Sequence, residues 1–130
     1  MYFPTQEEFL KLATQGNLIP VTRTILADFE TPLSAYRKIR GQGESFLFES
    51  VEGGEHLGRY SFLGCNPRAI IRQTANRVDL IKNGRVTQQF TVTPKPSPDD
   101  PQQVRDGLQV VERVMGEYRA VALPGLPRFT

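Results

Sequence analysis

The chain has 130 residues, 38% of them apolar, which is enough for one hydrophobic core. Its 16 basic and 14 acidic residues leave a formal charge of +2, so electrostatics gives no case for nucleic acid or an anionic membrane as a partner. The single cysteine, Cys65, excludes an internal disulfide framework and fits a reducing cytoplasm. No apolar run approaches the ~20 residues that a membrane helix needs. The start, Met1-Tyr2-Phe3-Pro4-Thr5, lacks the basic region and apolar run of a signal peptide.

Thr5 followed by Glu8 predicts a capping box that opens a first helix, with Phe9, Leu12 and Ala13 on its apolar face and Gly16-Asn17 at its end. The β-branched run from Leu18 to Leu26 predicts a strand, which Pro20 confines to a sheet edge or a bulge because proline has no N–H to donate. Thr31-Pro32 predicts a second helix through Leu33, Tyr36 and Ile39 to Gly41, since a threonine cap and a proline at the first helical position suit a helix start. Phe46 to Phe48 and Tyr60 to Leu63 read as two buried strands joined by a glycine-rich acidic loop.

Arg68 to Thr74 reads as a further strand. Asn83-Gly84 between Arg77–Lys82 and Arg85–Val92 predicts a hairpin with a type I′ turn, which wants positive φ at both central residues. Val78 and Leu80 lie on one face of that hairpin and Ile81 and Val86 on the other, so the sheet is expected to be covered on both sides. Pro94, Pro96, Pro98 and Pro101 predict a stiff linker over 93–100. The last helix is expected to be capped by Asp99 or Asp100 and opened by Pro101. Val104, Leu108, Val111, Met115 and Tyr118 would form its stripe against the sheet, with Glu112 and Arg113 solvated. Ala120 to Thr130 is apolar and proline-rich without a helical or strand period, so it is expected to expose apolar surface. Together these elements make an α+β fold, mostly antiparallel sheet with about three helices.

Motifs for independent catalysis are missing from the sequence: there is no HExxH, CxxC pair, GxSxG elbow, GxGxxG or P-loop spacing. His56 beside Glu55 has too few partners for a metal site and reads as a solvated loop histidine. Glu52 and Glu55 read as loop solvation. Cys65 in Gly64-Cys65-Asn66-Pro67 reads as packing, because a catalytic thiol needs a base and an oxyanion site.

The informative break is Glu49-Ser50, a polar pair at the end of an apolar strand, followed after a short loop by Arg59. A carboxylate, a hydroxyl and a guanidinium brought together suit a small zwitterion. The bland alternative is a strand end, with Glu49 turned to solvent and Ser50 capping a turn.

The run from Phe46 to Ser50, with Gly58-Arg59-Tyr60-Ser61-Phe62-Leu63-Gly64, resembles the "LLES... GRYSFLG" signature of the anthranilate synthase component I family of chorismate-using enzymes. The likeness extends along residues 1–130. It implies the amino-terminal regulatory region of a longer enzyme, truncated before the catalytic part and not catalytic alone. That parent, a lyase, would convert chorismate and glutamine-derived ammonia to anthranilate and pyruvate in tryptophan biosynthesis. It would use Mg²⁺ bound outside this chain, with a glutaminase subunit, component II, and the C-terminal catalytic region of the same polypeptide as partners.

The resemblance further implies that Glu49 and Ser50 line an allosteric pocket for L-tryptophan. The carboxylate would accept from the ligand ammonium, and the hydroxyl would donate to its carboxylate or accept from the amine. Phe48 would pack on the indole, and Arg59 would face the ligand carboxylate or pair instead with Glu49 or Glu52. Tyr60 and Ser61 are weaker candidates, with core or supporting roles as the alternative. The folate-pathway relative, aminodeoxychorismate synthase component I, shares the signature. A freestanding amino-acid-binding module is the reading from outside the enzyme class.

Overall fold

A computed structural model describes residues 1–49 and 60–126. Among these described residues three helices, α1 (Gln6–Leu12), α2 (Pro32–Ile39) and α3 (Gly107–Met115), alternate with short strands in an α+β fold. The strands are β1 (Tyr2–Phe3), β2 (Thr22–Arg23), β3 (Ser45–Glu49), β4 (Ser61–Cys65), β5 (Ala69–Thr74), β6 (Arg77–Lys82), β7 (Arg85–Val92) and β8 (Gln103–Val104). β1 pairs with β2 and β3 with β4, both antiparallel, and β5-β6-β7-β8 form a four-stranded sheet in which β8 runs parallel to β7. The chain divides into two compact units: Met1–Ile25, Ile71–Asp79 and Gln89–Thr130 make one, Leu26–Ile70 and Leu80–Gln88 the other.

The first unit holds a conventional core of Val78, Phe90, Val104, Val110 and Val121. Its helix α1 starts as the sequence predicts: the Thr5 hydroxyl accepts from the Glu8 amide, and the Glu8 carboxylate accepts from the Thr5 amide at 2.8 Å. The Thr5 amide and then the Thr5 hydroxyl, both donating to the Glu8 carboxylate, hold that carboxyl below its usual range. The helix ends at an Ala13 cap, ahead of Gly16-Asn17. That pair instead receives residues 117–121. The Asn17 side chain donates to the Glu117 carbonyl and accepts from the Arg119 amide. A Cβ on Gly16 would lie 2.3 Å from the Arg119 carbonyl oxygen, so the close approach requires glycine. The segment after α3 therefore does not simply expose apolar surface, because Val121 is buried and its amide donates to the Leu18 carbonyl.

Two expectations fail in this unit for backbone reasons. The strand over 18–26 shrinks to Thr22–Arg23 beside an isolated bridge from Leu18 to Ala120; Pro20 interrupts the ladder, and Ile25 is left exposed. The last helix begins at Gly107 with Asp106 as its cap, not at Pro101. Asp100 is spent on a turn, its carboxylate accepting from the Gln102 amide and its carbonyl from the Gln103 amide. Backbone groups of 102–104 then join β7: Thr91 N donates to the Gln102 carbonyl and Thr93 N to the Val104 carbonyl. Val104 is thus a core strand residue, fully buried, although its spacing fits a helical stripe. Val110 turns inward from α3, whereas Leu108 is 72% exposed and Met115 and Tyr118 are also exposed, so the expected stripe does not pack against the sheet. Arg113 is not simply solvated, since it donates to the Pro101 carbonyl and lies 5.7 Å from the centre of the Phe90 ring. Within the 93–100 stretch, the Ser97 amide donates to the Gln103 side chain.

The second unit carries the Asn83-Gly84 turn, with φ of 52° and 71° as a type I′ turn requires. Val78, Asp79 and Leu80 are buried in succession along β6, which puts cover on both of its faces there as the sequence predicts, while Val86 beside the turn is half exposed. Helix α2 has Thr31 as its cap with Ser34 returning the bond to the Thr31 amide. Glu30 accepts from Lys38 and from Ser34, which together hold its carboxyl below the usual range.

Candidate functional site

The β3–β4 pair carries the residues that the sequence singles out. Their register sets Ser45 opposite Cys65, Phe46 opposite Gly64, Leu47 opposite Leu63, Phe48 opposite Phe62 and Glu49 opposite Ser61. Side chains alternate along a strand, and opposed residues share a face. Ser45, Leu47, Glu49, Ser61, Leu63 and Cys65 therefore lie on one face, and Phe46, Phe48, Tyr60, Phe62 and Gly64 on the other.

The first of these faces is the one toward α2. The Tyr36 hydroxyl shares a hydrogen bond of 2.8 Å with the Ser45 hydroxyl, and Leu47, Leu63 and Cys65 are partly buried beside it. Cover runs out along the strands, because Glu49 and Ser61 at the far end are exposed. Opposed residues in an antiparallel pair have Cβ atoms about 5 Å apart. A carboxylate that only accepts and a hydroxyl that both donates and accepts are thereby placed within reach of one small cation. No described residue forms a side-chain bond with either group.

The reverse face is aromatic. Phe46 and Phe48 stack with ring centres 5.0 Å apart, and Tyr60 and Phe62 lie 6.4 Å apart. The Phe46 ring fills the space over Gly64, where a Cβ would meet it at 2.5 Å. Contrary to the expectation of two buried strands, Phe48 is 66% exposed and Phe46 and Tyr60 are close to half exposed. Their apolar spacing is that of a strand face; in this chain the described residues leave that face open.

The structure thus brings Glu49 together with Ser61, and Phe48 with Phe62, on opposite sides of the hairpin. Ser50, Arg59, His56, Glu52 and Glu55 lie outside the described residues. The Tyr36–Ser45 bond is not legible in the sequence, because it joins a helix residue to a strand residue nine positions away. Strand alternation around Glu49 indicates which residues share its face, but its pairing with Ser61 comes from the β3–β4 register.

Elsewhere, the described residues of the first unit line two depressions. One, of about 280 Å³, is lined by Phe3, Pro4, Glu8, Lys11, Leu12 and Leu123, and its only carboxylate is committed to the α1 cap. The other, of about 310 Å³, is lined by Thr91, Thr93, Asp100, Gln102 and Gln103, where Asp100 is tied into its turn. Among the described residues no group of three or more histidine, cysteine or carboxylate side chains is placed to hold a metal ion. No helix among them is long and apolar enough to cross a membrane.

Comparison with known proteins agrees with the signature. The chain is 40% identical over 125 residues to anthranilate synthase component 1 of Pseudomonas putida, an alignment covering 95% of this chain and 23% of that protein. It is 39% identical over 129 residues to the protein of the same name from Synechocystis sp., covering 98% of this chain and 23% of the relative. The corresponding figures for Acetivibrio thermocellus are 35% over 129 residues, 99% and 24%. The chain therefore spans about a quarter of the length of these relatives. No protein-family model and no solved structure matches it.

Proposed function

Because the chain is similar along almost its whole length to part of anthranilate synthase component 1, we propose that it is the amino-terminal regulatory region of such an enzyme and contributes to feedback inhibition by L-tryptophan. The observation that carries this reading is the polar end of the β3–β4 hairpin, where Glu49 closes an otherwise apolar strand. Glu49 and Ser50 would take the ligand ammonium, with Arg59 toward its carboxylate.

The chemistry belongs to the remainder of the parent enzyme. There chorismate and ammonia, supplied from glutamine by a component II glutaminase, would become anthranilate and pyruvate. The Mg²⁺ that serves this reaction would be held by residues outside this chain. The region alone would not catalyse, and its single cysteine suits a reducing cytoplasm. Tryptophan would inhibit by binding one arrangement of the regulatory and catalytic parts better than the other, since only differential affinity shifts such an equilibrium.

The test is chorismate-dependent anthranilate formation by the full-length polypeptide while L-tryptophan is titrated, for the wild type and Ser50→Phe. Inhibition of the wild type but not of Ser50→Phe supports the reading. Equal inhibition removes Ser50 from the site, and a wild type indifferent to tryptophan removes the regulatory role. Chorismate consumption without anthranilate would assign the parent to the aminodeoxychorismate branch.

A further inference from the structure

We infer that Ser61 is a ligand-contacting residue, and that it forms with Glu49 a seat for the amino-acid ammonium on the α2 side of the hairpin, away from Phe48. This inference rests on the reading that this end of the hairpin takes L-tryptophan. Three observations carry it. Ser61 is the register partner of Glu49 in the last pair of the ladder. Alternation puts both on the face that holds the Tyr36–Ser45 bond, with Leu47 and Leu63 next along it. Both residues are exposed, whereas the α2 end of the same face is partly covered.

The chemistry fits a primary ammonium. It has three N–H donors: the Glu49 carboxylate accepts one with charge assistance, and the Ser61 hydroxyl oxygen accepts a second while keeping its own proton free for the ligand carboxylate. On this face the ligand's apolar part meets Leu47 and Leu63, which lie one strand step from the polar pair. Phe48, opposite Phe62 on the reverse face, has no path to an ammonium held by Glu49 without passing around the strand.

The experiment is a tryptophan titration of the full-length enzyme carrying Ser61→Ala, Ser61→Thr or Phe48→Ala, each normalised to its own rate without tryptophan. Indole-3-propionate, which lacks the ammonium, is titrated in parallel. Losing one hydrogen bond to a charged group should raise the half-inhibiting tryptophan concentration about tenfold in Ser61→Ala. Ser61→Thr, which keeps the hydroxyl on a strand-compatible residue, should stay within about twofold of the wild type and guards against a folding defect. The preference for tryptophan over indole-3-propionate should shrink in Ser61→Ala, a change that a merely structural defect would not produce. Phe48→Ala should shift inhibition less than Ser61→Ala does. A wild type inhibited by tryptophan, with Ser61→Ala unaltered and Phe48→Ala resistant, would move the ligand to the aromatic face and overturn the inference while leaving the regulatory reading intact. A wild type that ignores tryptophan overturns both.

Discussion

In the unit of residues 1–25, 71–79 and 89–130, Val78, Phe90, Val104, Val110 and Val121 are all buried, whereas among the described residues of the other unit Leu80 is the only apolar side chain so enclosed. The second unit spends its aromatic residues differently, laying Phe46, Phe48, Tyr60 and Phe62 along one open face of β3–β4. The contrast separates two uses of apolar sequence. Valines that meet around α3 and β6 to β8 give stability, since each buried side chain of this kind is worth about 1.5–3 kcal/mol relative to exposure. Aromatic rings left half exposed return little of that to the folded chain. They leave the hairpin as the part whose surface is offered to something else.

A buried charge is the severest way to press on this difference. Val104→Asp should cost on the order of 4 kcal/mol or more, because it places an unpaired carboxylate in a fully enclosed site, and should abolish a cooperative thermal transition. Phe48→Asp, at a site 66% exposed, should leave that transition in place. A cooperative melt for Val104→Asp would show that the first unit does not hold the chain together.

Added methyl groups draw the same line more finely. Gly16→Ala drives a Cβ into the Arg119 backbone carbonyl and should cost about 1–3 kcal/mol in chemical denaturation. Gly64→Ala meets first the Phe46 ring, a side chain close to half exposed that can give way more readily than a backbone carbonyl, so its cost should be smaller. The reverse order would mean that the hairpin is the more tightly constrained of the two.

Acid should have the mildest effect, and it reaches both units. The carboxyls of Glu8 and Glu30 are held below their usual range, Glu8 by the Thr5 backbone amide and hydroxyl and Glu30 by Lys38 and then Ser34. A lowered folded-state pKa gives stability that is present above the unfolded value and is lost as pH falls through the folded one. Circular dichroism should therefore show helix content declining once the pH drops below the ordinary carboxylate range. Glu8→Gln should remove the acid response that comes from α1, and Glu30→Gln that from α2.

Local signals were the legible ones. The Thr5–Glu8 box, the Thr31-Pro32 start and the Asn83-Gly84 turn are each decided by neighbours within four residues, so the sequence states them outright. Val104 shows where such reading fails. Its helical spacing is real, but Asp100 turns the chain and β7 offers a ladder, and neither competitor lies in the window that defines a period. Phe46 and Phe48 fail in another way: their alternation identifies a face correctly without saying whether anything covers it. For the candidate site, Glu49 stood out as a polar break in an apolar run. Its pairing with Ser61 depends on the register of β3 against β4, which only the structure supplies.

The central claim is that the hairpin, not the cored unit, receives the ligand. Hydrogen exchange of the full-length protein with and without L-tryptophan measures this most directly. The account predicts slowed amide exchange over 45–49 and 60–65 on adding tryptophan, with amides around Val78, Val104 and Val110 unchanged. Protection confined to the cored unit, or none in the hairpin while tryptophan still inhibits, would contradict it.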